Sequence, residues 1–141
     1  MKSILYYLTI LFLFVSCHGQ EGNKSNTIDA SKVKEITITN KMYCSVQKLT
    51  QGSIVIKDRD QIEKIIKTFT YSEKEQRSKG DVDIKNNIGF FDISFNEEDK
   101  SYFYSIIYTT YNGVILINNN NGDMYKNDRL EGVVNPLFIA K

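Results

Sequence analysis

Imidazole is almost absent from this chain. Its 141 residues contain one histidine, His18, and two cysteines, Cys17 and Cys44. His18 opens the stretch HGQEGNKSNTIDAS (18–31), which is polar, holds two glycines and shows no apolar periodicity. Such a stretch reads as a flexible tether, in which no rigid shell can orient a general base. From residue 32 onward there is no histidine at all. A Ser–His–Asp triad is thereby excluded from the folded part, and so is a mixed His/Cys zinc site. Cys44 sits in KMYCSV, a strand-like context without a neighbouring His or Cys, and is expected to be a small buried side chain.

Charge of one sign is lacking too. Eighteen basic and seventeen acidic side chains give a formal net charge of +1. That balance argues against nucleic acid or an anionic lipid surface as an electrostatically attracted partner. No glycine-rich phosphate loop is present. Glu97, Glu98 and Asp99 form an acidic run, but they fall where a hairpin turn is expected, and glycosidase chemistry needs a carboxylate in a cleft. Asp81 and Asp83 would share one strand face and form the only cation candidate. Two carboxylates fall well short of calcium's six to eight oxygens. The run 118–122, four asparagines and a glycine, resembles an EF-hand loop only superficially. With Gly122 at position six, Ile117 takes the place of the first ligand and Asp128 that of the bidentate Glu. A hairpin tip fits better. No metal and no cofactor is therefore expected.

Long hydrophobic runs are likewise scarce, with one exception. Residues 4–15 are apolar apart from Thr9 and follow Lys2. The run is short for a permanent span, which needs about 20 apolar residues, and fits the h-region of a secretory signal. Phe14-Val15-Ser16-Cys17 closes it and resembles the lipobox of bacterial lipoproteins, with Phe14 where that family prefers Leu. The resemblance covers roughly the first 20 residues, as a signal of that type would. It implies that residues 1–16 are cleaved and that the Cys17 thiol carries a lipid. An ordinary secretory signal or an uncleaved anchor are the alternatives, and the thiol at the cut favours lipidation. His18-Gly19-Gln20 follows instead of the Asp of inner-membrane retention, which implies the outer membrane facing the periplasm. Cleavage removes Lys2 alone among charged residues and leaves 17 basic against 17 acidic side chains. With Cys17 lipidated, Cys44 has no intramolecular disulfide partner.

Residues 17–31 are thus expected to be a tether and residues 32–141 a single domain. VKEITIT (33–39) alternates with period two, a second strand is expected near 42–48, and SIVIK (53–57) continues the β pattern. Ile62, Ile65, Ile66 and Phe69 then fall at i, i+3, i+4 and i+7, which predicts a helix over about 59–70. Asp58 is its expected cap, with Gln61 as the box partner. Further strands are expected at 81–84, 88–95, 101–108, 113–117 and 124–126. The spacing of Leu130, Val133, Val134 and Leu137 predicts a short C-terminal helix, interrupted by Gly132 and Pro136. The class is α+β, an antiparallel sheet of about six to eight strands with the helix packed on one face.

Strand 101–108 is apolar on both sides. Tyr102, Tyr104, Ile106 and Tyr108 share one face, while Phe103, Ser105 and Ile107 share the other. A single helix covers one face of a sheet, so the second face is expected to be partly open to a partner. Tyrosine suits such contacts, and Tyr102, Tyr104 and Tyr108 form the candidate binding face for a protein or peptide. The alternative places them under the C-terminal segment or across neighbouring strands. The leading functional expectation is a lipid-anchored, non-catalytic binding or inhibitory module of the bacterial envelope, akin to an immunity protein. An assembly subunit of an outer-membrane complex comes second, and a carboxylate hydrolase third.

Overall fold

In the computed structural model, which describes residues 28–42, 49–75, 87–110 and 112–139, the predicted helix is α1 (Arg59–Phe69). Asp58 Oδ1 accepts the Gln61 backbone N–H at 2.9 Å, supplying the N-cap. Ile62, Ile65, Ile66 and Phe69 are buried, while Lys64 and Lys67 face solvent. Burying each such apolar side chain contributes roughly 1.5–3 kcal/mol, so this stripe fixes the helix to its support.

The support is one antiparallel sheet, of seven strands among the described residues, which gives the α+β class expected. The strands are β1 (Glu35–Asn40), β2 (Gly52–Ile56), β3 (Glu73–Lys74), β4 (Asn87–Asn96), β5 (Ser101–Thr109), β6 (Gly113–Asn118) and β7 (Met124–Lys126). Their spatial order is β2-β1-β4-β5-β6-β7-β3. β4, β5, β6 and β7 form a meander of hairpins. β3 is the departure from the expected order: after α1 the chain pairs at the far edge, with Glu73 opposite Lys126 and Lys74 opposite Tyr125. The helix thus carries the chain from one sheet edge to the other. The strands expected at 42–48 and 81–84 lie outside the described residues, apart from Met42 at the start of the first.

Period-two alternation sorts the strands cleanly. Ile36 and Ile38, Phe91, Ile93 and Phe95, and Ile106 all point to the face under α1 and are essentially inaccessible. Phe69 closes the end of the helix onto this layer, with its ring edge-on to Phe95 at 4.7 Å and to Tyr104 at 5.5 Å. The rest of that face is covered by the C-terminal segment. A 3-10 turn (Asp128–Leu130) leads into the single-turn helix α2 (Glu131–Val134) and a second 3-10 turn (Asn135–Leu137). The interruption foreseen from Gly132 and Pro136 is present. Leu130 and Val134 are fully buried, and Phe138 meets Phe91 at 5.4 Å.

The core takes in residues before 32. Ile28 joins the core, and Asp29 Oδ1 accepts from the Ser31 backbone and hydroxyl to form a tight turn. Arg59 reaches across from α1 and donates to the carbonyls of Ala30 and Val33. Residues 28–31, expected to belong to the tether, are thus packed against the domain. A lone apolar residue in a polar stretch carries no periodicity, and Ile28 earns its place only through tertiary contact.

Candidate binding face

The two faces of the sheet have opposite fates, and the tyrosines lie on the closed one. The β4–β5 register sets Tyr102 against Phe95, Tyr104 against Ile93 and Ile106 against Phe91. Tyr104 and Tyr108 are consequently core residues, 5% and 2% exposed. Tyr108 packs on Phe91 at 5.2 Å, and Tyr104 meets Phe95 at 6.1 Å. Tyr102 is half-buried at the rim, with Lys100 Nζ over its ring at 4.3 Å. As a docking face for Tyr102, Tyr104 and Tyr108, this side is corrected: α1 and the C-terminal segment cover it. The geometry matches the alternative, tyrosines packed beneath that segment and across neighbouring strands.

Burial marks both phenols electrically. It pushes the Tyr104 hydroxyl up to about 12, with smaller contributions from Tyr125 and Tyr102. It raises Tyr108 further, assisted by Glu131. Among the described residues the Tyr108 hydroxyl has no hydrogen-bond partner. A phenol whose pKa is raised by folding holds its proton longer in the native state. The native state is therefore fully favoured below the unfolded value of 10, and this advantage is lost as pH rises from 10 through about 12. Urea midpoints are expected to be flat from pH 8 to 10 and to fall above that. Tyr104→Phe with Tyr108→Phe should flatten the alkaline limb, and Tyr108→Phe alone should be neutral or slightly stabilising, because it removes an orphan donor.

On the opposite face, residues align in rows across strands. Val55 on β2 opposes Thr37 on β1, Thr37 opposes Ser94 on β4, and Ser94 opposes Phe103 on β5. The ends of this row are exposed apolar side chains, Val55 at 55% and Phe103 at 49%. The next row is polar and cross-linked. Thr39 and Ser53 hydroxyls lie 3.0 Å apart. Asp92 pairs with Lys41 Nζ at 3.0 Å and accepts from the Ser105 hydroxyl at 3.1 Å. The Asn119 amide donates in turn to Ser105 at 3.2 Å. Between the rows lies a shallow hollow of ≈ 220 Å³, bordered by Thr37, Thr39, Asp92, Ser94, Phe103 and Asn119. Farther along the same face, Ile107, Ile115, Ile117 and Met124 are buried in a second cluster that includes Phe90. The exposed part is thus the β2-β1-β4-β5 half.

Chemically, this half offers one aromatic ring, one aliphatic side chain and a fixed array of hydroxyl and amide groups, with Lys41 neutralising Asp92. Among the described residues no group of three or more His, Cys, Asp or Glu could hold a metal ion. Glu97, Glu98 and Asp99 occupy the β4–β5 turn, where Glu97 N–H bonds Lys100 O at 2.8 Å and Glu98 pairs with Lys34 in solvent. The asparagine run is a hairpin tip, with Gly122 at φ 77° donating to the Asn118 carbonyl at 2.7 Å. Cys17, His18, Cys44, Asp81 and Asp83 lie outside the described residues. Among the described residues no helix is long and apolar enough to cross a membrane. Comparison with protein-family models, curated proteins and solved structures finds no match for this chain.

Phe103 is the residue that sequence reasoning passed over. The missing signal was available in the hairpin count. Strand 88–95 declares its core side through Phe91, Ile93 and Phe95, and a short turn at 97–100 places Tyr102 opposite Phe95. Phe103 must then point the other way.

Proposed function

We propose that this protein is a non-catalytic binding module, held at the bacterial envelope by lipid on Cys17, which docks a protein partner on the open half of its sheet. The observation that carries the proposal is Phe103. It stands on the central strand of seven, half-exposed, beside a hydrogen-bonded polar band on a face that α1 leaves bare. A large aromatic side chain in that position contributes contact area at low entropic cost and is a typical interface anchor. The balanced charge of the band favours a neutral, mixed-polarity protein surface over nucleic acid. An inhibitory or immunity role is one form such docking takes.

Two substitutions separate anchor from face. Cys17→Ser is expected to move the chain from the detergent phase to the aqueous phase. Phe103→Asp is expected to leave the melting midpoint nearly unchanged while removing the partner recovered by cross-linking in intact envelopes. An identical partner set for Phe103→Asp and the parent would remove this face from consideration. Recovery of a stoichiometric membrane complex indifferent to Phe103 would make the protein an assembly subunit instead.

A further inference from the structure

β2 is an edge strand, and its outward backbone groups are identifiable. Lys41 N–H bonds Phe90 O at 2.8 Å, on the same register that sets Thr39 opposite Asp92 and Thr37 opposite Ser94. Alternate residues of an antiparallel strand bond to opposite neighbours. Thr37 and Thr39 therefore bond β4, whereas Ile36, Ile38 and Asn40 bond their β2 partners Ile56, Ile54 and Gly52. The N–H and C=O of Ser53 and Val55 are left pointing away from the sheet. Among the described residues nothing pairs with them through the backbone, and Gly52, Ser53 and Val55 are all exposed.

The two edges of the sheet are treated differently. β3 is two residues long, Glu73 and Lys74, and its lysine is tied to Asp123 at 3.2 Å. Shortness and charge are the usual protections of an edge. β2, GSIVI, has five residues and no charge, proline or bulge within it. An edge of this kind is a template for another strand.

We infer that β2 pairs with β2 of a second copy about a two-fold axis centred on Ile54, joining two sheets into one. The sequence is self-complementary in that register. Ser53 of each copy meets Val55 of the other as a hydrogen-bonded pair, using the free backbone groups on both. Ile54 meets Ile54 as a close non-hydrogen-bonded pair, on the α1 face, where it is only half-buried in one copy. Lys57 falls opposite Gln51, so no like charges meet, and the pairing stops there because Thr50 N–H is already bonded to the Phe138 carbonyl at 2.8 Å. Both open faces remain on the same side, so Phe103 stays accessible in each copy. Pairing depends on the edge alone and not on lipid at Cys17. A five-residue edge buries less than the about 1,200 Å² of a stable interface, so the dimer is weak and populated where copies are concentrated.

Site-specific disulfide capture in envelopes containing the full chain tests this pairing. Non-hydrogen-bonded partners place Cα atoms about 4.5 Å apart, within disulfide reach. Ile54→Cys is expected to give a disulfide-linked dimer well above the background set by the native cysteines. Ser53→Cys, although more exposed, lies out of register with its own copy and should give several-fold less. Val55→Pro in the Ile54→Cys chain removes an outward N–H that the fold does not use, and should reduce the dimer at least tenfold. Should that variant lose its native circular dichroism, Val55→Lys at the same exposed position repeats the test. Ser53→Cys cross-linking as well as Ile54→Cys would indicate random collision and overturn the pairing. A band no stronger than background, or an adduct with the mass of a different protein, would overturn it equally.

Discussion

Phe95→Ala is expected to lower the unfolding free energy by about 3–5 kcal/mol, the range for truncating a buried phenylalanine. Phe95 is 0% exposed and sits where helix and sheet meet. Its ring takes the edge of Phe69 from α1 at 4.7 Å and that of Tyr104 from β5 at 6.1 Å, and its strand partner is Tyr102. Alanine would leave a cavity bordered by α1, β5 and, through Ile36 opposite Phe95, β1, and none can collapse into it without dragging its own strand or helix. Domains of this size are stable by roughly 5–15 kcal/mol, so a large share of the total would go. Urea denaturation followed by circular dichroism measures the loss directly. Phe103→Ala, on the same hairpin but exposed, should change the midpoint little. A loss below about 1 kcal/mol for Phe95→Ala would contradict the packing of α1 on this face.

Asn127→Ala is expected to cost about 3 kcal/mol for a different reason. Asn127 is 3% exposed, and its amide nitrogen donates to the Thr68 carbonyl at 2.8 Å and the Ser72 hydroxyl at 2.9 Å. Its side-chain oxygen accepts from Arg129 N–H at 3.2 Å, starting the turn after β7. One side chain thus fastens the end of α1 to the start of the C-terminal segment. Truncation would remove the shorter of two donors to the Thr68 carbonyl, which keeps Tyr71 N–H at 3.2 Å, strip the Ser72 hydroxyl of the same amide and uncap the turn together. Asn127→Asp keeps the shape and the acceptor but turns a carboxylate oxygen toward the Thr68 carbonyl. That carboxylate would hold its proton in the folded state, so the variant's stability should fall as pH rises above about 4. Thermal melts of Asn127→Asp at acid and neutral pH read this directly, and a pH-independent midpoint would mean that Asn127 does not face that carbonyl.

Legibility in the sequence followed the reach of the interactions. α1 could be read because its stripe and its cap are local: Ile62, Ile65, Ile66 and Phe69 repeat within three turns, and Asp58 bonds a residue three positions on. The β4–β5 and β6–β7 hairpins were legible for the same reason. β3 was not, because Glu73 and Lys74 become a strand only through the backbone of β7, some fifty residues later in the chain. The pairing of β1 with β4 is similarly non-local, and no pattern within VKEITIT specifies it. From the sequence alone the tyrosine face reads as open, because strand 101–108 is apolar on both sides. Tyr104 and Phe103 look equally fit for a core, and only the strand opposite decides between them.

The grip of Arg59 on the carbonyls of Ala30 and Val33 has a further consequence if Cys17 is held in a bilayer. It marks the most N-terminal turn that α1 holds among the described residues. Only residues 18–27 then lie between the membrane and the first anchored turn, about ten residues in all. Ten residues span at most on the order of 35 Å, whatever path they take. That length sets the depth of a shell above the lipid surface in which the Arg59-held turn would lie. Any partner meeting Phe103 would have to enter that shell, either by standing on the same membrane or by passing close over it.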